Sequence, residues 1–135
     1  MNSLTGLSVL IIDDEEDFAR TLAGRLELRG MRPLVASSGE EGLALMEENS
    51  PDVVLLDMRM PGLSGAEVLG RLRPARPDLP VIVVTGHCSQ EDFEVVQTLG
   101  VQGYLAKPVD FEELLTALAE NAGRAGAARA GGESA

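Results

Sequence analysis

Five short apolar runs alternate with longer amphipathic segments along the chain, and this alternation restricts the fold more than any other feature. The runs are rich in Val, Leu and Ile and end in polar residues, which is typical of buried parallel strands. We predict strands near residues 8–13, 31–36, 53–57, 81–85 and 103–107. Strands joined by helices through short connections form βαβ units with right-handed crossovers. The pattern therefore predicts an α/β domain around one parallel sheet, although it does not fix the order of the strands.

Capping and helix-breaking residues mark the segments between the strands. We predict helices near residues 16–29, 66–72, 89–99 and 110–121, and a second helix that begins after Ser37 or Ser38 and runs to residue 49. Gly30 and Gly100 should each end a helix, and Asp110 should cap the start of one. Pro74 should follow the end of the third helix, because proline lacks the amide that a helix interior needs.

The apolar positions of these helices give candidate core residues. The expected inward-facing residues are Phe18, Leu22 and Leu26, with Ala19 and Leu28, in the first helix; Leu43, Ala44 and Met46 in the second; Phe93 and Val96 in the fourth; and Phe111, Leu114, Leu115 and Leu118 in the fifth. Such positions recur every three or four residues, so they share one face of a helix.

Three acidic residues lie where two of the apolar runs end. Asp13 and Asp14 follow the first run, and Asp57 ends the third predicted strand. The carboxyl ends of parallel strands meet at one edge of a sheet, which is where open α/β sheets bind ligands. Clustered carboxylates repel one another, and a hard divalent cation such as Mg²⁺ relieves that repulsion at an oxygen-only site. The spacing therefore predicts a metal site formed by these acids.

Two further polar residues end the fourth and fifth predicted strands. These residues are Thr85 and Lys107, and Pro108 follows the lysine. A carboxylate beside a metal, a hydroxyl and an ammonium can accept a phosphoryl group, because phosphoryl transfer depends mainly on positioning and charge stabilisation. Each residue also has an ordinary structural alternative: a helix cap for Asp13, an Asx-turn for Asp57 and solvation for Lys107.

Taken in order, these residues resemble the receiver domain of two-component response regulators. The matching residues are Asp13-Asp14, Asp57 within Asp57-Met58-Arg59-Met60-Pro61-Gly62, Thr85, and Lys107-Pro108 with Tyr104 three residues before the lysine. The resemblance implies a doubly wound, flavodoxin-like (βα)5 fold with a five-stranded parallel sheet in the order 2-1-3-4-5. It also implies a cis peptide bond between Lys107 and Pro108. We expect a receiver domain at 1–122 and a disordered tail or linker at 123–135, where the composition becomes Gly, Ala and Arg.

The resemblance implies a role for each acid. Asp57 corresponds to the aspartate that is phosphorylated by a histidine kinase or a histidine phosphotransfer protein. Asp14 corresponds to a direct ligand of Mg²⁺, with Mn²⁺ as the alternative metal, and Asp13 to a ligand that acts through water. Asp57 and the backbone carbonyl of Arg59 complete the expected protein ligands. Such a domain is a phosphoacceptor switch that assists its own phosphorylation and dephosphorylation, and it is not a classical enzyme.

The remaining matched residues are implied to stabilise or to transmit the phosphorylated state. Lys107 corresponds to the lysine that neutralises phosphoryl charge, and Thr85 to the hydroxyl that bonds a phosphoryl oxygen. Thr85 and Tyr104 together correspond to the switch pair. Arg59 and His87 occupy positions that tune the rate of autodephosphorylation in the family.

The expected output surface is formed by the fourth helix, the fifth strand and the fifth helix. Its centre should be Gln97, Gln102 and Tyr104, contacted by an output protein or by a second receiver. The pattern fits a stand-alone regulator and equally the front of a longer one, such as a transcription factor or a hybrid kinase. The sequence does not identify the kinase or the output partner.

Two other functions compete with this interpretation. A phosphatase of the haloacid-dehalogenase type needs an acid two residues after its nucleophilic aspartate, and here that residue is Arg59. A flavodoxin-like cofactor binder needs a phosphate-binding loop rich in Ser, Thr or Gly after its first strand. The corresponding loop here is the acidic segment 13–16, which would repel a phosphate.

Charge and cysteine content set the expected surroundings. The net charge is −11, with 22 acidic and 11 basic residues, which disfavours nucleic acid or an anionic membrane as a partner of this domain. Cys88 is the only cysteine, so no intramolecular disulfide can form, as is usual in a reducing compartment. No apolar stretch approaches the ~20 residues of a membrane-spanning helix. We therefore expect a cytoplasmic protein.

Overall fold

A five-stranded parallel sheet with helices on both faces forms the protein, as seen in a computed structural model that describes residues 4–121. The strands are β1 Ser8–Ile12, β2 Arg32–Ala36, β3 Val53–Leu56, β4 Val81–Thr85 and β5 Gly103–Ala106. The helices are α1 Glu16–Glu27, α2 Gly39–Asn49, α3 Gly65–Ala75, α4 Gln90–Leu99 and α5 at 111–121. The strand order is β2-β1-β3-β4-β5, which confirms the predicted fold and order. The predicted tail at 123–135 lies outside the described residues.

The two faces of the sheet are covered by different helices. Along β1, Val9 and Ile11 pack with residues of α1 and α5, whereas Leu10 and Ile12 pack with residues of α2 and α3. Successive side chains of a strand point to opposite faces, so a strand buried on both sides is apolar throughout. This burial explains why the three central strands, β1, β3 and β4, are almost entirely apolar, whereas the edge strands β2 and β5 are partly exposed. Within residues 4–121, no helix has the length and apolar character needed to span a membrane.

Three strands end one residue earlier than predicted, which places the polar residues just beyond the sheet. The amide of Asp13 still bonds the carbonyl of Ala36, and the amide of Asp57 bonds that of Ile12. Both aspartates therefore keep a ladder hydrogen bond while their side chains emerge at the sheet edge. Lys107 likewise follows the last residue of β5, and its bond to Pro108 is cis, as the resemblance implies.

The helix α2 lies close to the sheet through glycine, and this corrects the prediction that Ala44 faces inward. A Cβ atom added to Gly42 would lie 2.5 Å from the Cδ1 atom of Ile12. The buried face consists of Gly39, Gly42 and Met46, and Ala44 is exposed. Two residues of an α-helix differ by about 200° in direction, so Ala44 points away from the face that Gly42 turns to the sheet.

Two other predicted core positions are exposed. Leu28 is 88% exposed because α1 ends at Glu27 and because Leu26, two residues earlier, occupies the buried face. Phe93 is 45% exposed and lines a surface cavity of about 380 Å³ with Cys88 and Tyr104. Val96 is the only residue of α4 that is fully buried. The predicted face of α5 is confirmed, since Phe111, Leu114, Leu115 and Leu118 are all buried.

The end of α3 also differs from the prediction, because the helix passes Pro74 and ends at Ala75. Proline removes one amide near the end of the helix, and the amide of Arg76 still bonds the carbonyl of Leu72 at 2.8 Å. Arg73, which is 9% exposed, closes this end. Its guanidinium donates to the carbonyls of Arg76, Pro77, Leu79 and Gly100 at 2.8 to 3.2 Å. A rule based on neighbouring residues cannot predict such contacts, because Arg73 bonds a carbonyl 27 residues away in the sequence.

The caps predicted at Ser38, Gly100 and Asp110 are confirmed, whereas the C-cap of α1 is Leu28 and Gly30 lies in the turn that follows it. Ser38 caps α2, and the Asp110 carboxylate accepts the amides of Glu112 and Glu113 at the start of α5. Gly30 and Gly100 have φ values of 84° and 83°, a left-handed conformation that glycine adopts without strain. These turns return the chain from each helix to the next strand.

Candidate functional site

The acids predicted to cluster do so at the carboxyl edge of the sheet. One carboxylate oxygen each from Asp13, Asp14 and Asp57 lies within 4.8 Å of the others. The register pairs Ile12 with Leu56, so the residues that follow β1 and β3 are neighbours. Asp13 and Asp57 are buried, whereas Asp14 is half-buried at the mouth of the cluster.

Local hydrogen bonds orient two of these carboxylates. Asp13 Oδ1 accepts the amide of Glu15 at 2.9 Å, which forms the turn into α1. Asp57 Oδ1 accepts the hydroxyl of Thr85 at 2.8 Å and the amide of Arg59 at 3.3 Å. The Asx-turn alternative for Asp57 is therefore present in the structure. Asp13 does not cap α1, because the N-cap of that helix is Glu15. Both sets of bonds leave the Oδ2 atoms to face Lys107.

A single ammonium group opposes the cluster. Lys107 Nζ lies 2.8 Å from Asp13 Oδ2 and 3.6 Å from Asp57 Oδ2, and it also pairs with Glu15. The side chain is 11% exposed, and its Nζ lies 4.6 Å from the ring centroid of Phe18. Burial alone would lower the pKa of Lys107, but the bonds to Asp13 and Glu15 and the charge of Asp57 outweigh it, so the pKa is raised. Lys107 is therefore a firmly charged ammonium. No sequence pattern indicated Glu15 as a partner of Lys107.

The cluster is nevertheless short of positive charge. Burial raises the pKa of Asp13, and the charge of Asp57 adds to that rise, so the bonds from Lys107 and Glu15 offset it only in part. A divalent cation would relieve this cost, and an oxygen-only set with few protein ligands suits Mg²⁺. The donor chemistry of Asp13, Asp14 and Asp57 therefore fits the metal that the sequence predicted.

The Thr85 hydroxyl has two alternative acceptors. Its Oγ1 lies 2.8 Å from Asp57 Oδ1 and 2.9 Å from the carbonyl oxygen of His87, and it has one proton to donate. Thr85 is buried, whereas the side chain of His87 is exposed.

Tyr104 is 42% exposed on β5. Burial, followed by a hydrogen bond with Cys88, raises the pKa of Tyr104 to about 12.

Two further residues at the site, besides Glu15, were not anticipated from the sequence. A Cβ atom added to Gly65 would lie 2.3 Å from the carbonyl oxygen of Asp57, so only glycine lets α3 begin against this loop. Asp92, in the first turn of α4, forms an ion pair with Arg59 at 3.8 Å. The capping pattern around Ser64 was a signal for the start of α3, but nothing local indicated either long-range contact.

The chain is similar to proteins of one family. The family model described as the response regulator receiver domain matches residues 9–119. The chain is 42% identical over 107 residues to the uncharacterized transcriptional regulatory protein YkoG of Bacillus subtilis, covering 79% of this chain and 47% of that one. It is 43% identical over 108 residues to the sensory transduction protein RegX3 of Mycolicibacterium smegmatis, with 80% and 47% covered. The chain thus spans about half the length of these curated relatives.

Similarity in structure agrees with similarity in sequence. A CheY-like response regulator receiver domain protein from Methanospirillum hungatei superimposes with a TM-score of 0.85 and 29% identity, covering 90% of this chain and 97% of that one. The chain is also similar to a relative of about its own length, the uncharacterized 14.6 kDa protein of Leptolyngbya boryana. The two are 35% identical over 117 residues, which cover 85% of this chain and 89% of that one.

Proposed function

This chain belongs to the response regulator receiver domain family of two-component signal transduction, and we propose that Asp57 is its phosphoacceptor. The observation that supports this assignment is the placement of the Asp57 carboxylate, which contacts the Thr85 hydroxyl and the Lys107 ammonium beside two further acids. We propose 1–122 as the extent of the domain. The family consists of phosphoacceptor switches and not of classical enzymes.

The donor would be the phosphohistidine of a sensor histidine kinase or of a histidine phosphotransfer protein. A carboxylate oxygen of Asp57 attacks the phosphorus, the O–P bond forms, and the P–N bond breaks with its electron pair passing to the imidazole nitrogen. The product is an acyl phosphate on Asp57. We place this exchange in the cytoplasm, the location typical of the family.

The neighbouring groups would neutralise the charge of the phosphoryl group. Mg²⁺, or Mn²⁺ in its place, would be held by Asp13, Asp14, Asp57 and the Arg59 carbonyl and would supply positive charge to the phosphoryl oxygens. Lys107 is already charged and lies 3.6 Å from Asp57, so it can bond a phosphoryl oxygen with a small shift. The same groups would assist the later hydrolysis of the acyl phosphate, at a rate tuned by Arg59 and His87.

Phosphorylation would then alter the surface formed by α4, β5 and α5. The Thr85 hydroxyl would leave the His87 carbonyl for a phosphoryl oxygen, and Tyr104 would turn inward from its exposed position. Gln97 and Gln102 lie on this surface, and the Gln102 side chain accepts the amide of Val81 at 2.7 Å. The proposed partner is an output protein or a second receiver.

Mass spectrometry of protein treated with acetyl phosphate and Mg²⁺ tests the acceptor. We expect one acyl phosphate, trapped and mapped to Asp57, and none in Asp57→Asn. Asp52→Asn is unsuitable as a control because Asp52 bonds the amide of Ser8, so we choose Asp78→Asn, an exposed acid. A normal yield in Asp57→Asn, or full phosphorylation after chelation of the metal, contradicts the proposal.

A longer regulator is the second candidate, favoured by the length of the curated relatives. YkoG and RegX3 are about twice as long as the matched region, whereas the protein of Leptolyngbya boryana is of similar length. If the domain belongs to a transcriptional regulator, its partner surface would contact a DNA-binding domain of the same polypeptide. The native protein can be captured from cells by an antibody against this domain, and its intact mass measured. A mass about twice that of the domain indicates a longer regulator, and a mass near that of the domain indicates a stand-alone receiver.

A further inference from the structure

We propose that Asp92 is a positioning residue that holds the Arg59 side chain at the N-terminus of α4, and that a phosphoryl group on Asp57 draws Arg59 away. The inference rests on the proposed function, since it needs Asp57 to be the acceptor. The proposed contact adds an acid outside the cluster of Asp13, Asp14 and Asp57. It connects the acceptor loop, residues 57–65, to α4 by a route separate from Thr85.

Arg59 contacts both the acceptor and α4. Its amide donates to Asp57 Oδ1 at 3.3 Å, while its Nε lies 3.8 Å from Asp92 Oδ2. The Arg59 side chain is 57% exposed, in contrast to the enclosed side chain of Lys107. Exposed ion pairs with one long contact contribute little to stability. Arg59 can therefore exchange one acidic partner for another at small cost.

Asp92 uses the same oxygen for the ion pair and for the start of the helix. Its Oδ2 accepts the amide of Ser89 at 3.4 Å, and its own amide donates to the Ser89 hydroxyl at 3.0 Å. These two bonds are the capping box of α4. The cap therefore orders the first turn of α4, a helix in which Val96 is the only fully buried residue.

A phosphoryl group would compete with Asp92 for the guanidinium. Phosphorylation replaces a single negative charge on Asp57 with a group of higher negative charge, and arginine bonds phosphate oxygens in a bidentate manner. Once Arg59 has moved, the Asp92 carboxylate loses the charge that helps to hold it. The first turn of α4 then loosens, beside Cys88 and Tyr104 on the proposed switch surface.

Three variants separate the ion pair from other effects. Asp92→Asn keeps a side-chain oxygen for the Ser89 amide but removes the charge that holds Arg59. Glu91→Gln removes one charge from the same turn of α4, at an exposed position, and serves as the matched control. Arg59→Met removes the guanidinium and keeps an extended side chain.

The binding of beryllofluoride with Mg²⁺, a mimic of the phosphoryl group, measures the competition by ¹⁹F NMR. Asp92→Asn should tighten binding by roughly two- to fivefold, because Arg59 no longer has a competing partner. Glu91→Gln should leave the affinity nearly unchanged. In the Arg59→Met background, Asp92→Asn should have no further effect, which a purely structural role of Asp92 would not produce.

Hydrogen exchange of the free protein measures how firmly the Arg59–Asp92 pair holds the first turn of α4. The amides of the first turn of α4 should exchange faster in Asp92→Asn and in Arg59→Met than in Glu91→Gln. The inference is overturned if Asp92→Asn binds beryllofluoride like Glu91→Gln, or if it tightens binding equally without Arg59. Wild-type protein that does not bind beryllofluoride at all would instead overturn the proposed function, and this inference with it.

Discussion

At the scale of single residues, the site is a balance between clustered carboxylates and one ammonium. Lys107 pairs with Asp13 and Glu15 and approaches Asp57, while the pKa of Asp13 stays raised. A buried carboxylate without enough positive charge costs stability, which is common where a protein has a functional site. The metal-free protein should therefore gain stability from any cation that the cluster accepts.

Mg²⁺ should raise the melting temperature, and the acids should determine by how much. A ligand that binds only the folded state stabilises it by about 2.7 kcal/mol at one hundred times its dissociation constant. Asp14→Ala should abolish the rise and Asp13→Ala should weaken it, whereas Asp17→Ala, an exposed acid of α1, should respond like the wild type. Differential scanning calorimetry against Mg²⁺ concentration measures this. An unchanged response in both site variants rules out the metal site.

Tyr104 should remain protonated at a pH at which a free tyrosine is half ionised. Burial, then the hydrogen bond with Cys88, raises its pKa to about 12, against about 10 for the unfolded chain. Because the folded state holds this proton more tightly, its contribution to stability is complete below about pH 10 and is lost as the pH rises towards 12. Tyr104 is the only tyrosine and the chain has no tryptophan, so absorbance at alkaline pH follows it directly. A midpoint near 10 in the folded protein contradicts the shift.

Among the helices and strands, the sequence could predict the strands and their polar ends, but it could not predict the contacts between elements. Strands and their polar ends follow from local patterns, so the polar residues at the ends of four strands could be predicted to share one edge of the sheet. Contacts between elements leave no such pattern. Arg73 closes α3 by bonding carbonyls as far away as Gly100, which a rule based on Pro74 alone could not anticipate.

Contacts between elements also explain why two predictions of buried helix residues were wrong. Hydrophobic spacing treats Ala44 and Phe93 as core residues, because it cannot indicate that α2 contacts the sheet through Gly42 or that α4 buries little besides Val96. Glycine carries no hydrophobic signal, although here it determines how closely a helix approaches a strand. The Arg59–Asp92 pair was missed because the two residues are far apart in sequence.

The position of α3 should depend on Gly65. A methyl group there would lie 2.3 Å from the Asp57 carbonyl oxygen, so Gly65→Ala must push α3 and the acceptor loop apart. We expect a loss of about 1–3 kcal/mol in the free energy of unfolding and a lower yield of acyl phosphate. Gly70→Ala on the same helix meets no atom within 4 Å and should stabilise the protein by up to about 1 kcal/mol. Urea denaturation of both variants measures this, and a Gly65→Ala protein as stable as the wild type refutes the packing argument.

Across the whole protein, the proposed switch would carry a signal from one edge of the sheet to a lateral surface. β4 and β5 are adjacent and pair Thr85 with Ala106 and Val83 with Tyr104, so Thr85 and Tyr104 lie two register positions apart on neighbouring strands. α4 lies beside them with a narrow core contact and a cap that shares Asp92 with Arg59. Because α4 has so narrow a core contact, a new charge beside it can shift the population of two positions of this helix, provided that the charge interacts differently with the two.

Beryllofluoride with Mg²⁺ should therefore change hydrogen exchange well beyond the acceptor loop. Amides of residues 57–65 should become protected by direct contact, and those of residues 86–107 should change through the movement of Thr85, Tyr104 and α4. The change without a partner should be modest, since a ligand shifts an equilibrium only by its differential affinity for the two states. Asp57→Asn should show neither effect. Thr85→Ala should keep the protection of residues 57–65 and the response of the first turn of α4, which depends on Arg59 and Asp92, while losing the response around Tyr104. Differences confined to residues 57–65 in the wild type would mean that this surface is not switched by phosphorylation.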